Sequence, residues 1–254
     1  MIKKEFYDMK FRSLFIFFLV VALFFLIAPF QKLAVSMLEQ YTNEQVLPEF
    51  VRKLLPKEFV EKLNDWSFFI YSQWFGKNLG QIVPIIAVIM AFPLFSREYE
   101  NGTIEFLLAR SSREKVFFLK TFLALLILIV ETIIFSILPA AYSFFAEKSF
   151  AYNYIPAFTV HVVVGSTFWF SIALLLSAVS SDQVKPLLGS FAILAGTTVL
   201  GLLRPLRYLN VYSYILGSKI FQTGKADIKY TVVLSAISIA TILVSYWVFK
   251  KKEI

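Results

Sequence analysis

The sequence predicts an all-α integral membrane protein with six transmembrane helices, an interfacial helix at the N-terminus and a short helix between spans 2 and 3. Three observations lead there. Of 254 residues, 58% are hydrophobic and the mean hydropathy is +0.71, against roughly 45–50% apolar residues in soluble domains. The excess falls in blocks close to the ~20 residues that a helix needs to cross a bilayer. Charged residues fringe those blocks. A chain in lipid must satisfy its own backbone, which makes helices the natural spanning element here.

Composition also excludes chemistry. The chain has no cysteine and one histidine, His161, so thiolate sites, disulfides and His-cluster metal centres have no basis. The net charge of +8 is spread around apolar blocks, which suits the head groups of a lipid bilayer and not nucleic acid.

Taken in order, residues 1–13 place Ile2, Phe6 and Met9 at helical spacing among Lys3, Lys4, Lys10 and Arg12. This reads as an interfacial helix, or as a basic flank of the first span. Leu14 to Phe30 is the first span, and Pro29 marks its end. Residues 31–79 form an external amphipathic region. In it Leu47–Leu55 and Phe59–Leu63 follow helical spacing, and Trp66–Phe75 is an aromatic cluster of the kind found in interface belts. Ile82–Phe95, extended back to about Trp74, is the second span. Val116–Tyr142, Ala157–Val179, Leu187–Leu203 and Tyr230–Phe249 are the remaining four. An external loop at 204–229 is long enough to dip back toward lipid. Six spans put both termini on one side. Short basic segments at the span ends favour the cytoplasm for them. The whole chain, 1–254, is one transmembrane domain.

Between spans 2 and 3, residues 96–120 carry nine charges, yet Ile104, Phe106, Leu107 and Leu108 sit among them. A loop that only needed to be wet would not hold four large apolar residues in five positions. The pattern predicts a short amphipathic helix poised to dock on another protein. Ser111 and Glu114 have capping-box spacing and would start the next helix.

Other polar groups stand out. Glu131 lies near the middle of span 3, either marking an ion pathway or cementing helices as a hydrogen-bonded group. His161 in span 4 suits a neutral imidazole bonded to a backbone carbonyl. It could meet Glu131 only if spans 3 and 4 touch. In span 5, Gly189, Ala192 and Gly196 form a small-residue stripe for close helix contact, within the chain or between two chains. No phosphate-loop motif occurs: Gly224-Lys225 is followed by Ala226. The chain itself therefore lacks the backbone nest and hydroxyl that hold nucleotide and Mg²⁺.

With these pieces placed, the chain resembles the ABC-2 type permeases. The likeness rests on Glu100-x-Gly102-Thr103-Ile104-Glu105-x-Leu107-Leu108, then Ser112-Arg113 and Lys120, between spans 2 and 3. The basic N-terminus and the long loop before span 2 add to it. One departure is Arg110-Ser111, where members of that family usually carry a proline. The resemblance implies that 96–120 holds a cytoplasmic coupling helix docking on a separate ABC ATP-binding subunit. It also implies that two permease chains form one exporter in the cell membrane, with ATP and Mg²⁺ on the partner and no enzymatic activity here. Leu107 and Leu108 would then fill a cleft on that partner, while Glu100, Glu105 and Arg113 pair at its rim. Gly102 would permit the bend, and Thr103 would cap the helix. Two other readings are open on the residues: a self-contained secondary transporter or channel using Glu131, and a non-transporting membrane scaffold.

Overall fold

The computed structural model describes residues 2–43 and 57–253. The described residues are helical, with no strand among them. The amphipathic segment expected at 47–55 lies outside them.

Helix α1 (Ile2–Ile27) runs without a break from the basic N-terminus through the first span. The expected interfacial segment is thus helical but continuous with that span. The reason is a shared stripe: Glu5, Met9, Ile16, Val20 and Phe24 are all buried and keep one helical phase. The opposite face, with Phe11, Phe15 and Phe18, is exposed, as a lipid-facing surface should be. The helix stops just before Pro29.

Helix α2 (Gln31–Asn43) has no counterpart among the sequence expectations. It packs on α3 (Lys57–Lys62). Gln31 Nε2 donates to the carbonyls of Leu63 and Asn64 at 2.9 and 3.1 Å. Asn64 donates in turn to Glu39 at 2.8 Å.

Helix α4 (Trp66–Glu100) is the second span and begins earlier than hydropathy suggests. Asp65 caps it, accepting from Phe68 N at 2.7 Å. Its Tyr71–Leu79 portion is π-helical. The aromatic cluster is not an interface belt: Trp66, Phe69, Tyr71, Trp74 and Phe75 are buried against the bundle. Two of these residues bind α6 (Arg113–Phe145), the third span. Pro139 in α6 has no N–H, so the Phe135 carbonyl one turn back loses its helical donor. Trp74 Nε1 supplies one at 3.0 Å. Ser143 Oγ donates to the Pro139 carbonyl and accepts from Trp66 Nε1, both at 2.7 Å.

Helix α5 (Ile104–Arg110) lies between α4 and α6. The fourth span, α7 (Ile155–Val179), is central and touches α4, α6 and the helices that follow it. Pro93 starts a new helical segment inside α4, which frees the amides of its first turn. Ser177 Oγ on α7 accepts from Phe95 N and Ser96 N at 3.0 and 3.2 Å. Helix α8 (Val184–Leu200) is the fifth apolar helix, at 17 residues. That is about 25 Å, a little short of the ~30 Å hydrocarbon core. The 204–229 segment folds into α9 (Val211–Ile215) and α10 (Ser218–Thr223). It packs against the bundle: Ile215 is fully buried, and a Cβ added to Gly165 of α7 would lie 2.3 Å from its Cγ1. Helix α11 (Ile228–Lys251) is the last span.

Candidate functional site

The site is built around the turn that ends α4. The Thr103 amide bonds the Glu98 carbonyl at 2.9 Å and the Gly102 amide bonds Tyr99 at 3.1 Å. These are the 6→1 and 5→2 bonds of a Schellman stop, which needs a left-handed residue at its centre. Gly102 supplies it at φ 66°. Thr103 does not cap α5 with its side chain, contrary to expectation. Its hydroxyl donates to the Glu98 carboxylate instead. That carboxylate is buried, and a buried acceptor outcompetes a solvated helix end for the donor.

Beneath the turn lies a buried ion cluster. Lys120 Nζ on α6 sits 2.7 Å from Glu5 Oε2 on α1 and 2.8 Å from Glu98 Oε1 on α4. Arg97 pairs with Asp8 at 3.1 Å beside it. Glu5, Asp8 and Glu98 bring carboxylate oxygens within 4.8 Å of one another, and Lys120 and Arg97 supply the opposite charge. Three helices are therefore pinned at one point. Breaking such a pair is costly, because a charge stays behind in low dielectric.

On this foundation α5 shows a split face. Ile104 is 2% exposed, and Leu107 and Leu108 are half-buried against the core. Phe106 is 74% exposed, with Glu105, Ala109 and Arg110 beside it on the open side. Phe106, which the sequence reading counted only as part of the apolar run, is the large apolar side chain of α5 that stands in the open. Leu107 and Leu108 mainly seat the helix.

Two expected rim residues turn inward to the bundle. Glu100 is exposed but accepts from Gln183 Nε2 at 2.6 Å, joining α4 to the turn before α8. Arg113 Nη1 donates to the carbonyls of Phe249, Lys250 and Lys252 at 3.1, 3.2 and 2.6 Å. It thus caps the C-terminus of α11, whose last carbonyls have no intrahelical donor. Lys252 repeats the device on α7, donating to Ala178, Val179 and Ser180 at 3.2, 2.9 and 2.6 Å. Its ammonium also lies 3.8 Å from the centre of the Tyr99 ring. Burial pushes the Lys252 pKa down. The cap of α6 falls one residue later than the capping-box spacing suggested: Ser112 accepts from Lys115 N at 3.3 Å. Both termini and α5 therefore share one end of the bundle.

The intramembrane polar groups are not brought together, although α6 and α7 touch. Glu131 Oε1 accepts from Ser13 of α1 at 2.5 Å. His161 Nδ1 lies 2.8 Å from the Tyr214 carbonyl, and its Nε2 accepts from Asp227 N at 2.9 Å. An acceptor at Nε2 fixes the neutral, Nδ1-protonated tautomer. The histidine is a staple between α7 and the 204–229 segment. Burial pushes the Asp227 carboxyl up, but Lys219 at 2.9 Å and the Tyr230 amide outweigh this and hold it below its ordinary value. In the small-residue stripe, only Gly189 is crowded, with Leu176 Cδ1 3.2 Å from an added Cβ. Ala192 is exposed and nothing lies near Gly196.

The sequence reading missed Glu5 and Glu98 as partners of Lys120. Their signal was a set of isolated charges at span ends, without a clue to which would meet.

A family model described as ABC-2 family transporter protein matches residues 1–254. Comparison with curated proteins and with solved structures gave no match.

Proposed function

Because the chain belongs to the ABC-2 transporter family and is the membrane permease subunit of an ABC transporter, we propose that it is driven by a separate ATP-binding subunit docking on α5. The single observation that carries this is Phe106. A large aromatic side chain stands 74% exposed on a helix whose root is fixed by the Glu5–Lys120–Glu98 cluster. An exposed aromatic on a rigid base is a good anchor for a partner's pocket. Glu105 and Arg110 beside it would set orientation at the rim.

In this reading α5 and both termini face the cytoplasm of a cell membrane, and the chain works as an exporter. ATP and Mg²⁺ reside on the partner. A second permease chain completes the transporter, and the open small residues Ala192 and Gly196 on α8 leave room for close helix approach. Glu131 serves as a bond between α1 and α6, so a self-contained ion-driven transporter gains no support from its position.

The test uses the full chain reconstituted with its cognate ATP-binding subunit. The permease alone should hydrolyse no ATP, and the pair should. Phe106→Asp should abolish the permease-dependent part of that activity. Full coupled activity in the Phe106→Asp variant would remove α5 as the docking element.

A further inference from the structure

His161 of α7 is bonded at both ring nitrogens, and both bonds go to the 204–229 segment. Nδ1 donates to the Tyr214 carbonyl at 2.8 Å, and Nε2 accepts from the Asp227 amide at 2.9 Å. The imidazole also stacks on the Tyr214 ring, with centroids 4.0 Å apart. Tyr214 shares a 2.7 Å hydrogen bond with Thr231 of α11. One side chain therefore joins α7, α9 and the start of α11. The ring is fully buried, but it lies in the wall of a polar cavity of about 440 Å³ that also takes in Lys219, Asp227 and Tyr230. That polar wall brings water within reach of it.

The acceptor bond is the one that a proton destroys. An imidazolium has two donors and no acceptor, so Nε2–H would face the Asp227 N–H, donor against donor. The nearby counter-charge is the carboxylate of the same residue, and it is engaged. Lys219 pairs with it at 2.9 Å, and the Tyr230 amide donates to it at 3.3 Å as part of the cap of α11. These partners hold the Asp227 carboxyl below its ordinary value, so it stays charged where an imidazole titrates. A charged ring could recruit it only by undoing that cap. The other groups around the ring offer no substitute. Arg207, Lys219 of α10, Tyr214 of α9 and Tyr230 of α11 bring no anion, and α7 has no other charged residue. On the α4 side, Tyr71 packs on Phe158 one turn away and gives its hydroxyl to the Ala151 carbonyl.

We propose that His161 is an acid-sensitive latch: the neutral ring holds the 204–229 segment on α7, and protonation releases it. The latched state binds no proton at Nε2, so it is favoured at high pH and loses ground as pH falls. The release is local. The rest of the bundle is held by contacts that the imidazole does not share, among them the Glu5–Lys120–Glu98 cluster. The latch stands on the geometry around His161 alone and does not require the exporter reading.

The test is hydrogen exchange of the full chain in an uncharged detergent, with rates corrected for the intrinsic pH dependence of amide exchange. From about pH 7.5 to about pH 5, protection of the amides in 211–231 should fall by about tenfold or more, the loss expected for one buried hydrogen bond. Protection in α6 should stay level. His161→Gln and His161→Asn remove the titrating group, so neither should show the fall, whether its segment stays on the bundle or not. A level profile in the parent would overturn the latch, and that reading needs no variant to fold. An equal fall in α6 would overturn it too, since the whole bundle would then be loosening. A fall that survives in either His161 variant would place the titrating group elsewhere and end the proposal.

Discussion

Lys120 on α6 meets Glu98 on α4 at 2.8 Å, with both side chains at most 3% exposed. The same ammonium meets Glu5 of α1 at 2.7 Å. One cation therefore ties the first three spans together directly beneath the turn that presents α5. Lys120→Met should destabilise the protein by about 3–5 kcal/mol, since two buried carboxylates lose the cation that they share. Adding Glu5→Gln and Glu98→Gln should recover much of that loss. Unfolding in detergent measures both, and a single variant as stable as the parent would mean the cluster is not load-sharing among the helices.

Trp74 and Pro139 make a second coupled pair. Trp74→Phe leaves the Phe135 carbonyl without a donor and should cost about 1–3 kcal/mol. In a Pro139→Ala background that carbonyl regains its own helical amide, so the same substitution should cost less. A double-mutant cycle should show coupling of about 1 kcal/mol; strict additivity would refute the proline explanation.

Gly102 has open space where a Cβ would stand, yet its φ is 66°. Gly102→Ala should therefore destabilise by about 1 kcal/mol through backbone strain alone. Gly102→Asn should cost less, because asparagine tolerates the left-handed region. A steric origin would give the reverse order, with the larger residue worse.

Phe106 and Leu107 separate docking from folding. Phe106→Asp should change stability by no more than about 0.5 kcal/mol, whereas Leu107→Asp places a charge on a half-buried side chain and should lower the melting temperature clearly. Equal melting temperatures for the two would contradict the split face of α5.

Much of this fold was legible from periodicity and punctuation. The apolar blocks, Pro29, and the charged turn with its four apolar residues each forced a local structure that short-range physics dictates. The second span was harder: Trp66 to Leu79 reads as a polar-interrupted aromatic stretch, and only the Phe135 carbonyl freed by Pro139 explains why Trp74 goes inside. Helix α2 was missed because its buried residues among those described are one polar, Gln31, which links to Leu63, and one apolar, Val35, which leaves almost no apolar pattern. At the site, the bend at Gly102 could be read from the letters. The destinations of Thr103, Glu100 and Arg113 could not: Thr103 turns to the Glu98 carboxylate that distant helices bury, Glu100 takes a side-chain amide from the turn before α8, and Arg113 reaches the backbone at the end of α11. The exposed face of a seven-residue helix is likewise decided by what it leans on, which is why the leucines looked like the projecting group and Phe106 did not.

Helix α1 has its foot clamped by Glu5 and Asp8 and its shaft unbroken from Ile2 to Ile27. Such a rod is about 39 Å long. If a push on α5 rocked that clamp by about ten degrees, the far tip, about 33 Å beyond Glu5, would swing by about 6 Å. A displacement that size would be passed to the far end of α1 without any bond inside the rod changing, so α1 would then act as a lever with its fulcrum at Lys120.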